Sequence, residues 1–314
     1  MGNAEDLVQL PRWVISVVWP VVWTLAWTLG AGACSETVGG QKPVGKAVDT
    51  DAQLQRYLRH AYLDLSGHGP SDSELGDATA RLRDASNTAG ARGELVDDLI
   101  AKDAFAQVWF GELENGIFGG NSVDQQYTLV CNLVRGTTPA CMSCVQADAC
   151  TCPCPPLQAL GTERTQLRAS AGDLGGGTRS ATIERRYAMA GGYFALAGTP
   201  EARVKALFDD FLARTAEPDE VENGRSMIFG SILPGSPAGL VFHRHGASYA
   251  DLIDIVFRSE VYREAMVRRM FDRYLARSPS AGELAHFVST LDANDPDARG
   301  LVRAVVSSRE YFAQ

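Results

Sequence analysis

The sequence predicts an all-α protein: three helix-turn-helix-type repeat units with an irregular Cys-rich insertion. Three observations carry this. The stretch Leu207 to Val221 recurs at Met270 to Leu284, offset by 63 without a gap, with Phe, Asp, Leu, Ala, Arg and Glu coinciding. Apolar positions 204, 207, 208, 211 and 212 map onto 267, 270, 271, 274 and 275, spacings of three and four that define one buried helical face. A third copy opens at Ala61 to Leu75, where Ser71-x-x-Glu74 matches Ser280-x-x-Glu283. Both read as capping boxes, the Ser accepting from the third backbone N–H and the Glu reaching back to the Ser amide.

Composition sets the class. With 29 Lys and Arg against 38 Asp and Glu, the charge of −9 excludes the basic face of a nucleic-acid binder. An apolar fraction of 45% in 314 residues supports a real core and excludes a disordered acidic chain.

Residues 1–33 read as a signal peptide or membrane anchor. Trp13 to Leu29 carries no charge and leads into Gly30-Ala31-Gly32-Ala33-Cys34. Ala31-Gly32-Ala33 fits an A-x-A export site, and the same small residues before Cys34 look like a lipobox, with Ala31 where Leu is usual. Cys34 is therefore the predicted lipid-attachment residue and the new N-terminus. The alternative is an uncleaved helix, since Trp13 to Ala33 spans 21 residues and about 20 cross a bilayer. Trp19, Trp23 and Trp27 would form one stripe on it. Met1-Gly2 does not signal myristoylation, because Asp6 stands where Ser or Thr is needed. Residues 34–50 read as a polar, Gly-rich tether.

Residues 51–110 form repeat 1. Residues 111–192 form the insertion, marked by Gly119-Gly120, Gly175-Gly176-Gly177 and Cys131, Cys141, Cys144, Cys150, Cys152 and Cys154. With Cys34 assigned to a lipid, an even set remains, and in an exported chain six close cysteines read as a disulfide framework. Cys141-x-x-Cys144 also has metal-ligand spacing, which keeps a metal or electron-transfer module open as an alternative. A c-type haem is excluded because Val145 follows Cys144. Pro139, Pro153, Pro155 and Pro156 argue against regular structure there.

Residues 193–262 form repeat 2, where Pro218, Asp219 and Glu220 replace the capping box. Residues 263–314 form repeat 3. The units end alike: Leu252 to Tyr262 aligns with Leu301 to Tyr311 and more loosely with Leu95 to Phe105, with Ser259, Ser308 and Lys102 in register. One helical pair cannot bury its own apolar stripe, so the units should pack together. Arg273 reads as exposed, and Arg185-Arg186 and Arg268-Arg269 read as solvated helix faces.

The aromatic, the Leu-Ala-Arg turn, the Pro, the Glu-Leu pair and the closing Ser-x-x-Tyr resemble a small all-helical domain of unknown function. That domain is repeated in bacterial surface proteins and is itself similar to phycobilisome linker domains. Tyr62-Leu-Asp-Leu through Trp109 looks like the opening of an uncharacterised family of exported planctomycete and myxobacterial proteins. The resemblance spans about 170 residues, omits the Cys-rich segment and implies no catalytic position. Ala213 and Ala276 stand where the family has glycine.

No catalytic residue, cofactor or metal site is predicted. Gly40 to Lys46 nearly spells a phosphate loop, but Ala47 replaces the magnesium-binding Ser or Thr. Neither G-x-S-x-G nor H-E-x-x-H occurs. His243 and His245 flank Arg244 and, on an extended stretch, would point to the same side. The expectation is a non-enzymatic, lipid-anchored protein of the bacterial envelope, at the outer membrane facing periplasm or surface. It would scaffold or bind a protein partner. An uncleaved N-terminal helix would instead make it an accessory subunit of a membrane complex.

Overall fold

The computed structural model describes residues 49–230 and 237–314. The N-terminal segment read as a signal peptide or membrane anchor, with Cys34, lies outside the described residues. Fifteen α-helices dominate the described residues, with one two-stranded antiparallel sheet.

Repeat 1 comprises α1 (Asp51–Ser66), α2 (Asp72–Asp84), α3 (Ala89–Ile100) and α4 (Asp103–Ile117). Ser71 and Glu74 make the reciprocal cap on α2. Then come α5 (Val123–Thr137), two short 3-10 turns, α6 (Pro155–Gly175), α7 (Ser180–Met189) and α8 (Gly191–Ala197).

Repeat 2 has α9 (Pro200–Leu212), α10 (Pro218–Phe229), a hairpin of β1 (Gly239–Val241) and β2 (Arg244–Gly246), and α11 (Tyr249–Phe257). Pro218 occupies the first helical turn of α10, and Glu220 accepts from the Glu217 amide at 2.8 Å. Repeat 3 has α12 (Glu260–Leu275), α13 (Ala281–Thr290), α14 (Ala298–Val306) and α15 (Arg309–Phe312). Helix α12 serves twice: its start closes repeat 2 and its end opens repeat 3. Ser259 and Ser308 are both N-caps, accepting from the Tyr262 and Tyr311 amides.

The five apolar positions shared by α9 and α12 are all buried, as the spacing requires. Ala213 and Ala276 end those helices in the left-handed conformation, φ 51° and 50°, and Gly67 ends α1 at φ 72°. Glycine thus stands at this position in the first copy and alanine in the other two, at a backbone conformation that favours glycine.

Repeat 3 packs against both other units. Equivalent helices pair, α9 with α12 and α3 with α14. The first and last units are joined by Arg92, buried, whose Nε donates to the Ser307 carbonyl at 2.7 Å and whose guanidinium lies over Phe312. Tyr311 Oη donates to Asp64 Oδ2 at 2.6 Å, and Arg309 binds Asp49 with two bonds.

The Cys-rich insertion is irregular from residue 138 to 154, a narrower stretch than the glycines and prolines of 111–192 suggest. Pro139 opens a 3-10 turn, and Pro155 and Pro156 start α6, where a missing N–H costs nothing. Those prolines mark a helix start rather than extended irregularity.

Candidate functional site

All six clustered cysteines pair: Cys131 with Cys150, Cys141 with Cys154 and Cys144 with Cys152, at Cα separations of 5.3, 5.6 and 6.0 Å. The Cys144 bridge is nested inside the Cys141 bridge, and the Cys131 bridge crosses both. Cys131 on α5 is bridged to the second 3-10 turn, and Cys154, which precedes α6, to the first, so the disulfides tie the connection between these two packed helices to both of them. Both helices also make polar contacts with the start of α8. Tyr127 Oη donates to Glu163 at 3.1 Å, the same carboxylate accepts from the Gly191 amide at 2.8 Å, and the Gln126 amide donates to the Gly192 carbonyl.

A second feature is a cleft of about 560 Å³ where the three repeats and α7 meet. Helix α4 contributes Trp109, Glu112, Leu113 and Ile117, α9 contributes Asp209 and Asp210, and α12 contributes Arg269, Met270 and Arg273. Glu184 enters from α7 at 2% exposure. Its carboxylate accepts from Tyr262 Oη at 3.0 Å and from Arg269 Nη2 at 3.1 Å. Burial and the neighbouring Glu184 push the Tyr262 phenol well above its ordinary range, so it stays a donor. Arg269 Nε is buried and has no hydrogen-bond partner among the described residues. On the opposite rim Tyr193 Oη donates to Asp210 Oδ2 at 3.0 Å.

These arginines correct the surface reading. Arg273 is not exposed: 22% of its side chain meets solvent, it is ion-paired with Glu112, and its Nη2 donates to the Asp64 carbonyl at 3.2 Å. Arg269 reaches the buried Glu184 while its neighbour Arg268 stays half exposed beside Glu264. Arg185 pairs with Asp254 at 3.2 Å, and Arg186 meets Asp173 and Ser170. Of these five arginines, all but Arg268 bridge two helices. Sequence reasoning missed them because a long side chain can start on a polar face and still end in a crevice.

His243 sits in the hairpin turn at φ 59° and His245 on β2, both exposed. The stretch is a turn, so the two rings do not share one extended face. Among the described residues no group of three His, Cys, Asp or Glu side chains is placed to hold a metal. Nor is any described helix long and apolar enough to cross a membrane. No protein-family model, curated protein or solved structure matches this chain.

Proposed function

We propose that the chain is an exported, lipid-anchored protein of the bacterial envelope, acting as a scaffold or protein-binding module rather than an enzyme. The observation that carries this reading is the pairing of all six clustered cysteines, because disulfides persist in oxidising compartments outside the cytosol. The uncharged run before Cys34 supplies an export signal with a thiol at its end. Sulfurs held in disulfides offer no thiolate to a metal, which favours the structural reading of the cluster over an electron-transfer module. The resemblance to repeated surface-protein domains points the same way.

Intact-mass analysis of protein from native membranes tests the anchor. A chain beginning at acylated Cys34 is expected, and Cys34→Ser should abolish acylation. Mature protein retaining an unmodified Met1 would overturn the lipoprotein and leave an N-terminal helix as the anchor. Co-purification after mild crosslinking in the envelope tests the binding role, with a specific stoichiometric partner as the expected result.

A further inference from the structure

The outer face of α1 is a basic stripe. Arg56, Arg59, His60 and Leu63 follow at spacings of three and four, so they share one side of the helix, opposite the buried Leu54, Leu58, Ala61 and Leu65. All four are exposed, Leu63 at 55%. Most arginines of the described residues are tied to a carboxylate or a carbonyl. Arg56 and Arg59 meet neither, and His60 is equally free among the described residues. The acids of α1 do not neutralise the stripe: Asp51 accepts from Arg83, and Asp64 accepts from Tyr311 at 2.6 Å. An exposed leucine between unpaired guanidiniums suits a phospholipid surface, where the arginines meet phosphates and the apolar side chain enters the boundary below them.

Position in the chain points to the same partner. The 15 residues from Cys34 to Val48 reach at most about 50 Å when extended, and α1 is the first helix after them. An acyl chain on Cys34 therefore holds α1 close to a bilayer. The tether is itself net basic, with Lys42 and Lys46 against Glu36. The whole chain is acidic at −9, so an acidic bilayer repels most faces and admits one that is locally basic.

We propose that the outer face of α1 docks on an anionic phospholipid surface, with Arg56 and Arg59 on the headgroup phosphates and Leu63 at the boundary below them. The proposal rests on the reading of Cys34 as a membrane anchor, and it fixes which side of the body the anchor turns to the bilayer.

The test uses the full chain purified from native membranes and placed on two kinds of vesicle, phosphatidylglycerol mixed with phosphatidylcholine and phosphatidylcholine alone, with acyl chains brominated near the headgroup. Leu63→Trp puts a reporter on the stripe, and Leu133→Trp puts one at an exposed leucine of α5. Fluorescence quenching, read as the excess over the parent chain, is expected for Leu63→Trp on the acidic vesicles only, and for Leu133→Trp on neither. Raising salt to about 0.5 M should release it while the protein still floats with the vesicles. Arg56→Gln with Arg59→Gln should lower the docked-to-undocked ratio by about tenfold or more, since each arginine near an acidic surface contributes about fivefold. Arg56→Lys with Arg59→Lys should keep it.

Flotation reports the anchor and quenching reports the face, so the two readings fail separately. Protein that does not float with phosphatidylcholine would overturn the anchor, while docking would still stand on quenching at position 63 over acidic vesicles. No quenching there, as an acidic protein partner would give, equal quenching at positions 63 and 133, or an unchanged ratio in the double glutamine variant would each overturn the docking.

Discussion

Ala213 and Ala276, 63 residues apart, close their helices with the same left-handed backbone, φ 51° and ψ 36° at the first and φ 50° and ψ 34° at the second. The turn that follows is also shared. Arg214 forks onto Glu220 at 2.6 and 2.8 Å and lies over Phe208, while Arg277 forks onto Glu283 at 2.7 and 3.0 Å and lies over Phe271. In the first copy His68 holds the Arg position, and the cation arrives from elsewhere: Lys102 lies 5.3 Å from the Tyr62 ring centre and 3.2 Å from Glu74. A cation between an aromatic ring and the capping glutamate is therefore common to all three units, although its source changes.

Alanine pays a steric penalty of about 1–2 kcal/mol in the left-handed region, partly offset by the extra unfolded-state freedom of glycine. Ala213→Gly and Ala276→Gly should each raise stability by about 0.5 kcal/mol in urea unfolding, the reverse of the usual effect in a helix. Gly67→Ala should cost about 1 kcal/mol or more, since a Cβ there also lies 3.0 Å from Val108 Cγ2.

Phe271 is buried at 2% exposure, so Phe271→Ala should cost about 3–5 kcal/mol. The neighbouring Asp272 is exposed, and Asp272→Ala should cost under about 0.5 kcal/mol. Arg273→Ala should fall between, at about 1–2 kcal/mol, because it strips the Glu112 ion pair and the bond to the Asp64 carbonyl. Equal costs at Phe271 and Asp272 would remove the case for a common buried face.

Three carboxylates are held well below their ordinary range. Glu283 is held down from 4.5 to about 2 by Arg277, with further help from the Ser280 hydroxyl and amide. Glu74 is lowered to about 2 by the Ser71 amide and hydroxyl and by Lys102, and Asp49 to about 2 chiefly by Arg309. A depressed folded-state pKa contributes stability above the unfolded value and loses it as pH falls through the folded one. Thermal melts should therefore show Tm roughly level above pH 5 and falling between about pH 4.5 and 2. Glu283→Gln should flatten part of that fall, and an unchanged profile in this variant would count against the pairing.

Alkylation of the native, unreduced protein should label none of the six clustered cysteines, and reduction in denaturant should release all six. Reduction under native conditions should loosen α5 and α6 first, because the bridges restrain that pair while the repeat cores hold no cysteine. Hydrogen exchange should rise in residues 123–175 and stay low in α9 and α12.

The repeat was legible because a helix that buries one face must place carbon every three or four residues, and five such positions survive a shift of 63. The capping boxes at Ser71 and Ser280 were legible for a similar reason: they are local, closed within four residues. Helix starts at Pro155 and Pro156 were not, since the same residue that excludes a helix interior suits its first turn, and only the following chain decides.

What the sequence determined by itself was therefore short in range: helix periodicity, caps, the equivalence of three units and the presence of six cysteines able to pair. Tertiary structure alone decided which unit lies against which, which cysteine meets which, and that Arg269 and Arg273 turn inward to Glu184 and Glu112. Those outcomes depend on atoms brought together across separations such as the 161 residues between Glu112 and Arg273. Burial of each apolar face demands some partner without specifying one, so shape and charge at the packed interface make the choice.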